Sequence, residues 1–321
     1  VEDKKLTYSE AAILVDKYLP LSQGKWFESK DLWLEFNVHS AEGKHYISQV
    51  LYNFKKAETL EGYRGRYRYI NTELDKLDWK AADPKDILDI RWPYGLQDDT
   101  SFLFDDNITV YPGSIVVVSG VSNQGKTTFM INLVARNMDN WKVRYLTNEM
   151  GAEEFADRLS YLEGFYDWTD DYDEPKFETG IRYDNYQDVM IPDGFNIIDY
   201  LDPGKDPYLV GQQIDAIKQR LGRGVAFIAL QKKLTTVTTK TGPKDVISDY
   251  GTGGQYSEHR ARIVFHIEKD YLYVKKAKKC RKTNLNGRRF AFEIIENGSQ
   301  FFNIHELVKG EEGEHQWPVQ D

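Results

Sequence analysis

Apolar positions along the first 60 residues recur at helical spacing. In TYSEAAILVDKYL, residues 7 to 19, Ala12, Val15 and Leu19 fall on one face near a 3.6 period, and Thr7 or Ser9 can cap the start. SKDLWLEFNV follows, with Ser29 as a candidate N-cap and Leu32, Leu34 and Phe36 as apolar surface. A third helix is expected over about residues 41–57, where Tyr46, Val50 and Phe54 stand at i, i+4 and i+8 and predict a buried stripe. TLEGY and YRYI then read as two short strands around Arg64-Gly65-Arg66, a glycine-containing hairpin. Residues 72–95 turn polar and acidic, broken by Pro84 and Pro93, as a linker does. Beyond Phe102, short β-branched runs alternate with helical ones: SIVVVSG, TTFMINLVARN, KVRYLTNEM, EEFADRLSYL, FNIIDYL, a long helix, then GVAFIAL. That alternation predicts an α/β fold with a parallel central sheet. The expected organisation is a small domain over 1–72, a linker over 73–101, an α/β domain over 102–308 and a tail over 309–321.

Composition narrows the classes. No apolar run approaches the roughly 20 residues of a membrane span, and the N-terminal residues VEDKKLTYSEAA carry no apolar signal core. One cysteine cannot form an internal disulfide, so a reducing cytoplasm is the expected compartment. A net charge of −9 argues against a protein coated in nucleic acid, but local patches decide phosphate binding. One such patch, VKKAKKCRKTNLNGRR over 274–289, holds eight Lys or Arg and no acid. Residues 164–188 are acidic and Tyr-rich, and read as a solvated insertion.

The chemistry is concentrated in Gly120-Val121-Ser122-Asn123-Gln124-Gly125-Lys126-Thr127, followed by Thr128, a G-x-x-x-x-G-K-[ST] motif between a strand and a helix. Its glycines let backbone N–H groups curl around a polyphosphate, Lys126 bridges β- and γ-phosphates, and the Thr127 hydroxyl ligates Mg²⁺. ATP with Mg²⁺ is the expected cofactor. Asp199, closing the strand FNIID, fits a carboxylate that holds Mg²⁺ through water. Glu149, ending VRYLTNE, could reach the same sheet edge as a general base. It could equally be an idle charge at the N-terminus of the helix GAEEFADRL.

Three helices and a hairpin with arginines at its tip resemble a winged helix-turn-helix, over about residues 7–71. That resemblance implies duplex contact through Arg64 and Arg66 at the wing and through Lys44, His45, Lys55 and Lys56 on the third helix; the rival is a packing or protein-docking module. Over about residues 90–305 the order LTNEMGAEEFADRL, IIDYL, AFIALQK, GGQYSEHRARIVFHI and KKCRKTNLNG resembles the ATPase domain of RecA/DnaB-like replicative helicases. The resemblance implies a RecA-like P-loop core, a catalytic Glu149, a Walker B Asp199 and a γ-phosphate-sensing Gln231. It also implies that Lys279 and Arg281, on a strand with Cys280 facing inward, reach the ATP of a neighbouring subunit; the rival is that this segment, with Lys275, Lys278, Lys282, Arg288 and Arg289, binds a nucleic-acid backbone directly. The Thr, Lys and Gly-rich segment 232–254 has no clear periodicity and reads as a mobile loop; in such a family it lines a channel for single-stranded DNA, with Lys232, Lys233, Lys240 and Lys244 pairing with phosphates. A homo-oligomer, a hexameric ring, is implied. The present Gly120 and the winged N-terminus depart from the DnaB pattern. Two functions follow as expectations: an ATP-hydrolysing DNA helicase acting in DNA replication, or an ATP-switched recombination or regulatory factor that does not unwind.

Overall fold

The structure is a computed structural model describing residues 6–307 other than 23, 75, 203, 205, 208, 240 and 241; side chains of 235–246 also lie outside the description. The tail assigned to 309–321 lies outside the described residues. The chain forms two compact units, Val1–Ala82 and Asp83–Asp321.

In the first unit, α1 (Tyr8–Leu21) starts at Thr7, whose hydroxyl accepts from Glu10 N while the Glu10 carboxylate accepts from Thr7 N at 2.8 Å. It buries Ala11, Val15 and Leu19, so Ala11 rather than Ala12 belongs to the stripe. Strand β1 (Trp26–Glu28) leads into α2 (Ser29–Glu35). Ser29 is the first helical residue, not the cap. Asp31 instead accepts from Glu28 N at 2.7 Å, and Leu34 is left exposed while Leu32 is buried. Helix α3 (Ala41–Lys56) is capped by Ser40 and buries Gly43, Ile47, Val50 and Leu51. Tyr46 and Phe54 only flank that stripe, because Ile47 and Leu51 complete a wider face with Val50. Strands β2 (Leu60–Tyr63) and β3 (Arg66–Tyr69) pair Tyr63 with Arg66 across a two-residue turn. Arg64 and Gly65 both have positive φ, 48° and 78°, which a type I′ hairpin requires. Strand β1 adds to the other edge of β3, a pairing that three residues were too few to announce.

The expected linker is too long. Leu88 N donates to Val110 O, and Ile90 and Trp92 are buried in the α/β core, with the Trp92 ring edge-on to Phe104, Phe227 and Phe265. The acidic residues and prolines of this stretch disguise single apolar anchors, each without the repeat that marks a helix or strand.

The second unit opens with the short helix α4 (Phe104–Asn107), then β4 (Ser114–Gly120), α5 (Lys126–Asn137), β5 (Val143–Thr147) and α6 (Ala152–Ser160). It continues through β6 (Glu178–Ile181), β7 (Phe195–Asp199), α7 (Leu209–Arg220), β8 (Val225–Thr239), β9 (Gly242–Gly251), β10 (Ile263–Glu268), β11 (Tyr271–Ala277), β12 (Arg289–Ile295) and β13 (Gln300–Glu306). Sheet order is β13-β12-β11-β10-β4-β8-β7-β5-β6, parallel from β10 to β6 and antiparallel beyond. The fold is therefore mixed α/β with a mostly parallel central sheet. Every residue of β4 is buried: Val116 and Val118 enter one core, and Ile115 and Val117 the core under α7. Period-2 alternation between two covered faces explains the unbroken apolar run.

Two other expectations change. The segment 232–254 is not a mobile loop: β8 continues past the sheet and pairs antiparallel with β9, Leu234 opposite Ile247 and Thr239 opposite Gly242. Its threonines and valine are strand formers whose signal the lysines and glycines masked. The insertion 164–188 also does more than meet solvent. It supplies the edge strand β6 and buries Phe177 and Tyr186.

Candidate nucleotide site

Register brings the chemistry together. Gly120, the last residue of β4, lies opposite Gln231 in β8, and Thr147, the last of β5, lies opposite Asp199 at the end of β7. The loop 120–125 therefore opens at the edge where those strands finish, as ligand sites of parallel α/β sheets do. A side chain at Gly120 would collide with Ile267 O at 2.5 Å, and Gly125 holds φ +98° just before α5. Gly120 needs glycine for that close approach, and Gly125 for its left-handed backbone.

A cavity of about 710 Å³ lies over this loop, lined by Ser122, Asn123, Gly125, Lys126, Thr127 and Thr128, with Glu149 and Gln231 on its wall. Val121 contributes its carbonyl, which accepts from Lys126 Nζ at 2.8 Å. Gln124 has a buried Oε1 without a partner and is not among the lining residues. The Thr128 hydroxyl is spent on Gly298 O at 2.5 Å, which ties α5 to the β12–β13 turn. Gln231 Nε2 donates to Ser122 Oγ at 3.0 Å, a direct bridge from β8 to the loop.

Charge converges here. Burial lowers the Lys126 ammonium from its ordinary value, opposed by Asp199, Glu149 and Glu268. Glu149 stands two residues past the end of β5, with its N–H on Thr147 Oγ1 at 3.2 Å. Burial and then Asp199 raise its carboxyl, while Lys126 pulls it down. Asp199 is 1% exposed and accepts from Tyr145 OH at 2.6 Å, but its other oxygen, Oδ1, has no partner. Burial raises this carboxyl, and the Tyr145 and Thr127 hydroxyls oppose it. An orphaned buried carboxylate oxygen beside a threonine hydroxyl fits a hydrated Mg²⁺, which takes few protein ligands. Among the described residues no group of three or more His, Cys, Asp or Glu could hold a metal by itself.

The Asp199 carboxyl yields a prediction. Its folded pKa is raised, so stability is lost as pH climbs from the unfolded value near 4 and stays lost at neutral pH. Asp199→Asn keeps an acceptor for Tyr145 and removes that penalty, and should raise the Tm of the nucleotide-free protein by about 2–4 °C. A scan at pH 7.5 checks this; a lower Tm would refute it.

Sequence reading missed Arg158, Lys269, Asp270 and Asn297, which also line the cavity. Arg158, on α6, pairs with Glu154 one turn before it at 3.2 Å. Lys269 and Asp270 sit in the β10–β11 turn, whose position only the sheet order reveals.

The other candidates are scattered. Lys232 is not free to meet phosphate: it is buried against Glu268, Nζ to Oε1 2.6 Å. Lys233 is exposed, Lys240 lies outside the described residues, and the side chain of Lys244 does too. In the first unit Arg64 and Arg66 lie over the Tyr63 and Trp26 rings, at 5.1 and 6.0 Å, and Lys55 and Lys56 are exposed in the last turn of α3. Lys279 and Arg281 are not on a strand, since β11 ends at Ala277 and Cys280 makes only an isolated bridge to Ile108. The Arg281 guanidinium donates to the carbonyls of Asp105 and Ile108. Ala277 pairs with Ile263, at the sheet edge opposite Gly120, so neither cation can serve its own chain's cavity. Much of the basic segment is committed internally: Lys275 to Glu258, Lys282 to Asp106 and Arg288 to Glu306.

No known family and no curated relative matches this sequence. Among solved structures, it is similar to the RadB recombinase at 13% identity, covering 60% of this chain and 90% of that one, TM-score 0.41. It is also similar to a KaiC-like protein of the hyperthermophilic archaeon Pyrococcus horikoshii at 14% identity, covering 67% and 99%, TM-score 0.45. Among the described residues, no helix is long and apolar enough to cross a membrane.

Proposed function

We propose that the chain is an ATP-hydrolysing DNA motor of the RecA/DnaB-like kind, with a winged helix in its first unit and ATP bound between subunits of a ring. The observation that carries this reading is the meeting of Lys126, Glu149 and Asp199 at one sheet edge with Gln231, which touches Ser122 and begins the stretch of β8 that leaves the sheet. Lys126 and the loop N–H groups bind the phosphates. Thr127 and Asp199 would hold Mg²⁺, which neutralises charge building between the β- and γ-phosphates when bound. Glu149 accepts a proton from the attacking water, helped by a raised basicity that burial supplies. Gln231 relates the γ-phosphate position to the β8–β9 hairpin, and Lys233 on that hairpin meets the strand.

Steady-state ATP hydrolysis with and without single-stranded DNA tests the proposal, with Lys126→Ala as the blank. Several-fold stimulation by DNA is expected; DNA-indifferent turnover would sink the motor. An ATP-switched DNA-binding factor fits no worse on two observations, the burial of Lys232 and the capture of Arg281 by its own chain's carbonyls. Displacement of one strand from a tailed duplex separates the readings.

Arg281 has a test of its own. Lys126→Ala and Arg281→Ala proteins should each be inactive alone, yet regain turnover when mixed, because a mixed interface joins an intact loop to an intact arginine. A mixture as inactive as its parts would end the assignment across subunits.

A further inference from the structure

At the edge of the sheet away from the nucleotide cavity, four cations from three segments converge. Lys218 comes from the last turn of α7, Arg260 and Arg262 from the approach to β10, and Lys278 from the residue after β11. They line a pocket of about 330 Å³ floored by Tyr111, Pro112 and Gly113, and no acidic residue lines it. Lys218 Nζ donates to Gly113 O, and the Arg262 guanidinium lies over the Tyr111 ring at 5.6 Å. Arg260 is paired with Asp215 at 2.5 Å, whereas Lys218, Arg262 and Lys278 make no ion pair among the described residues. Like charges gathered in one concavity repel, so in a chain of net charge −9 this arrangement is costly unless an anion joins it. Burial and the Arg262 charge both lower the Lys218 ammonium.

The pocket shares His259 and Arg260 with a second groove of about 610 Å³, lined by Gly211, Gln212, Asp215 and Tyr256. Tyr256 is 49% exposed and meets the His259 ring edge-on at 5.3 Å. An exposed ring beside a cluster of cations offers a face for a base and donors for the phosphates attached to it. Strand β4 separates this place from the loop at Gly120 by about 20 Å, at ~3.3 Å per residue, so the two sites are distinct.

We propose that this groove and pocket form a second phosphate-binding site, which takes a nucleotide unit with its base on Tyr256 and its phosphates among Lys218, Arg262 and Lys278. The unit is either part of a single strand or a free polyphosphate nucleotide. Only the strand arm rests on the DNA-binding reading.

The test compares Arg262→Ala/Lys278→Ala with its parent, both carrying Lys126→Ala so that the first cavity is silent. The probes are a labelled oligothymidylate, followed by anisotropy from 50 to 300 mM salt, and inorganic tripolyphosphate, followed by calorimetry. A strand is indicated if oligothymidylate affinity falls about tenfold and the salt slope drops by about 1.4, as two lost phosphate contacts on a single strand require. Tyr256→Ala should then weaken the oligonucleotide and leave tripolyphosphate unchanged. Loss of tripolyphosphate binding alone would assign the site to a free nucleotide. Unchanged binding of both probes overturns the proposal. Arg262→Lys/Lys278→Arg keeps the charges and should retain binding, which separates charge from fold. Absence of ATP turnover in the wild type would remove the motor reading without touching these titrations.

Discussion

Glu149→Gln should bind ATP as tightly as the parent and hydrolyse it about 10²–10⁴-fold more slowly, the range a positioned general base contributes. The substitution keeps the size of the side chain and its place beside Thr147, so the cavity is preserved. What is lost is the proton acceptor. Because the Asp199 charge raises the Glu149 carboxyl, the two acids crowd one site, and removing one negative charge also eases ATP binding, whose triphosphate no longer faces two carboxylates. Nucleotide affinity should therefore hold or improve while turnover collapses. Measuring both on the same preparation decides the matter. Unchanged turnover would return Glu149 to the role of a charge near the start of α6, and reduced affinity with normal turnover would contradict the acid–base assignment directly.

Lys232→Ala should destabilise the larger unit by about 3–5 kcal/mol, the usual cost of stranding one partner of a buried ion pair. The Lys232 and Glu268 side chains are 4% and 9% exposed, and Glu268 Oε2 has no other partner, so nothing takes over when the ammonium is removed. Lys232→Met with Glu268→Leu, which removes both charges and fills the space, should recover most of the loss. Urea denaturation of the single and double variants measures the difference. If the single variant were as stable as the parent and merely bound DNA less well, Lys232 would be a strand contact after all. The pair bridges β8 and β10 just beyond the sheet's ligand edge, so the destabilisation should be felt first as fraying of the hairpin.

How legible this was depends on whether a signal was local. The loop 120–127 announces itself because its glycines and Lys126 lie within eight residues between a strand and a helix, and the buried strands β4, β7 and the first half of β8 announce themselves as apolar runs. Asp199 stood out because it closes such a run, whereas Gln231 was singled out only by the resemblance to RecA/DnaB-like helicases. Glu149 could not be decided, since its nearness to Asp199 depends on β5 and β7 lying side by side, which no spacing encodes. Lys232 was misread for the same reason: its partner is 36 residues away on β10. The strand assumed for Lys279 and Arg281 failed because β11 stops at Ala277 and the chain then turns to bridge Ile108. Trp92 was hidden in an acidic, proline-broken stretch where a single anchor leaves no period. The hairpin β8–β9 was hidden by lysines and glycines placed among good strand formers.

Strand β8 belongs to two bodies at once. Its first half is a middle plank of the sheet, its second half is free of the sheet, and Gln231 sits at the join with its amide on Ser122. A beam clamped on one side behaves as a lever. From Gln231 to Thr239 the arm is about 26 Å at ~3.3 Å per residue, so a tilt of only about 5° at the clamp sweeps the far end through about 2 Å. A small tilt at the Gln231 clamp would thus be amplified along that arm before it reaches Thr239. If the proposed motor reading holds, shortening the arm by two residue pairs should shorten the step in proportion.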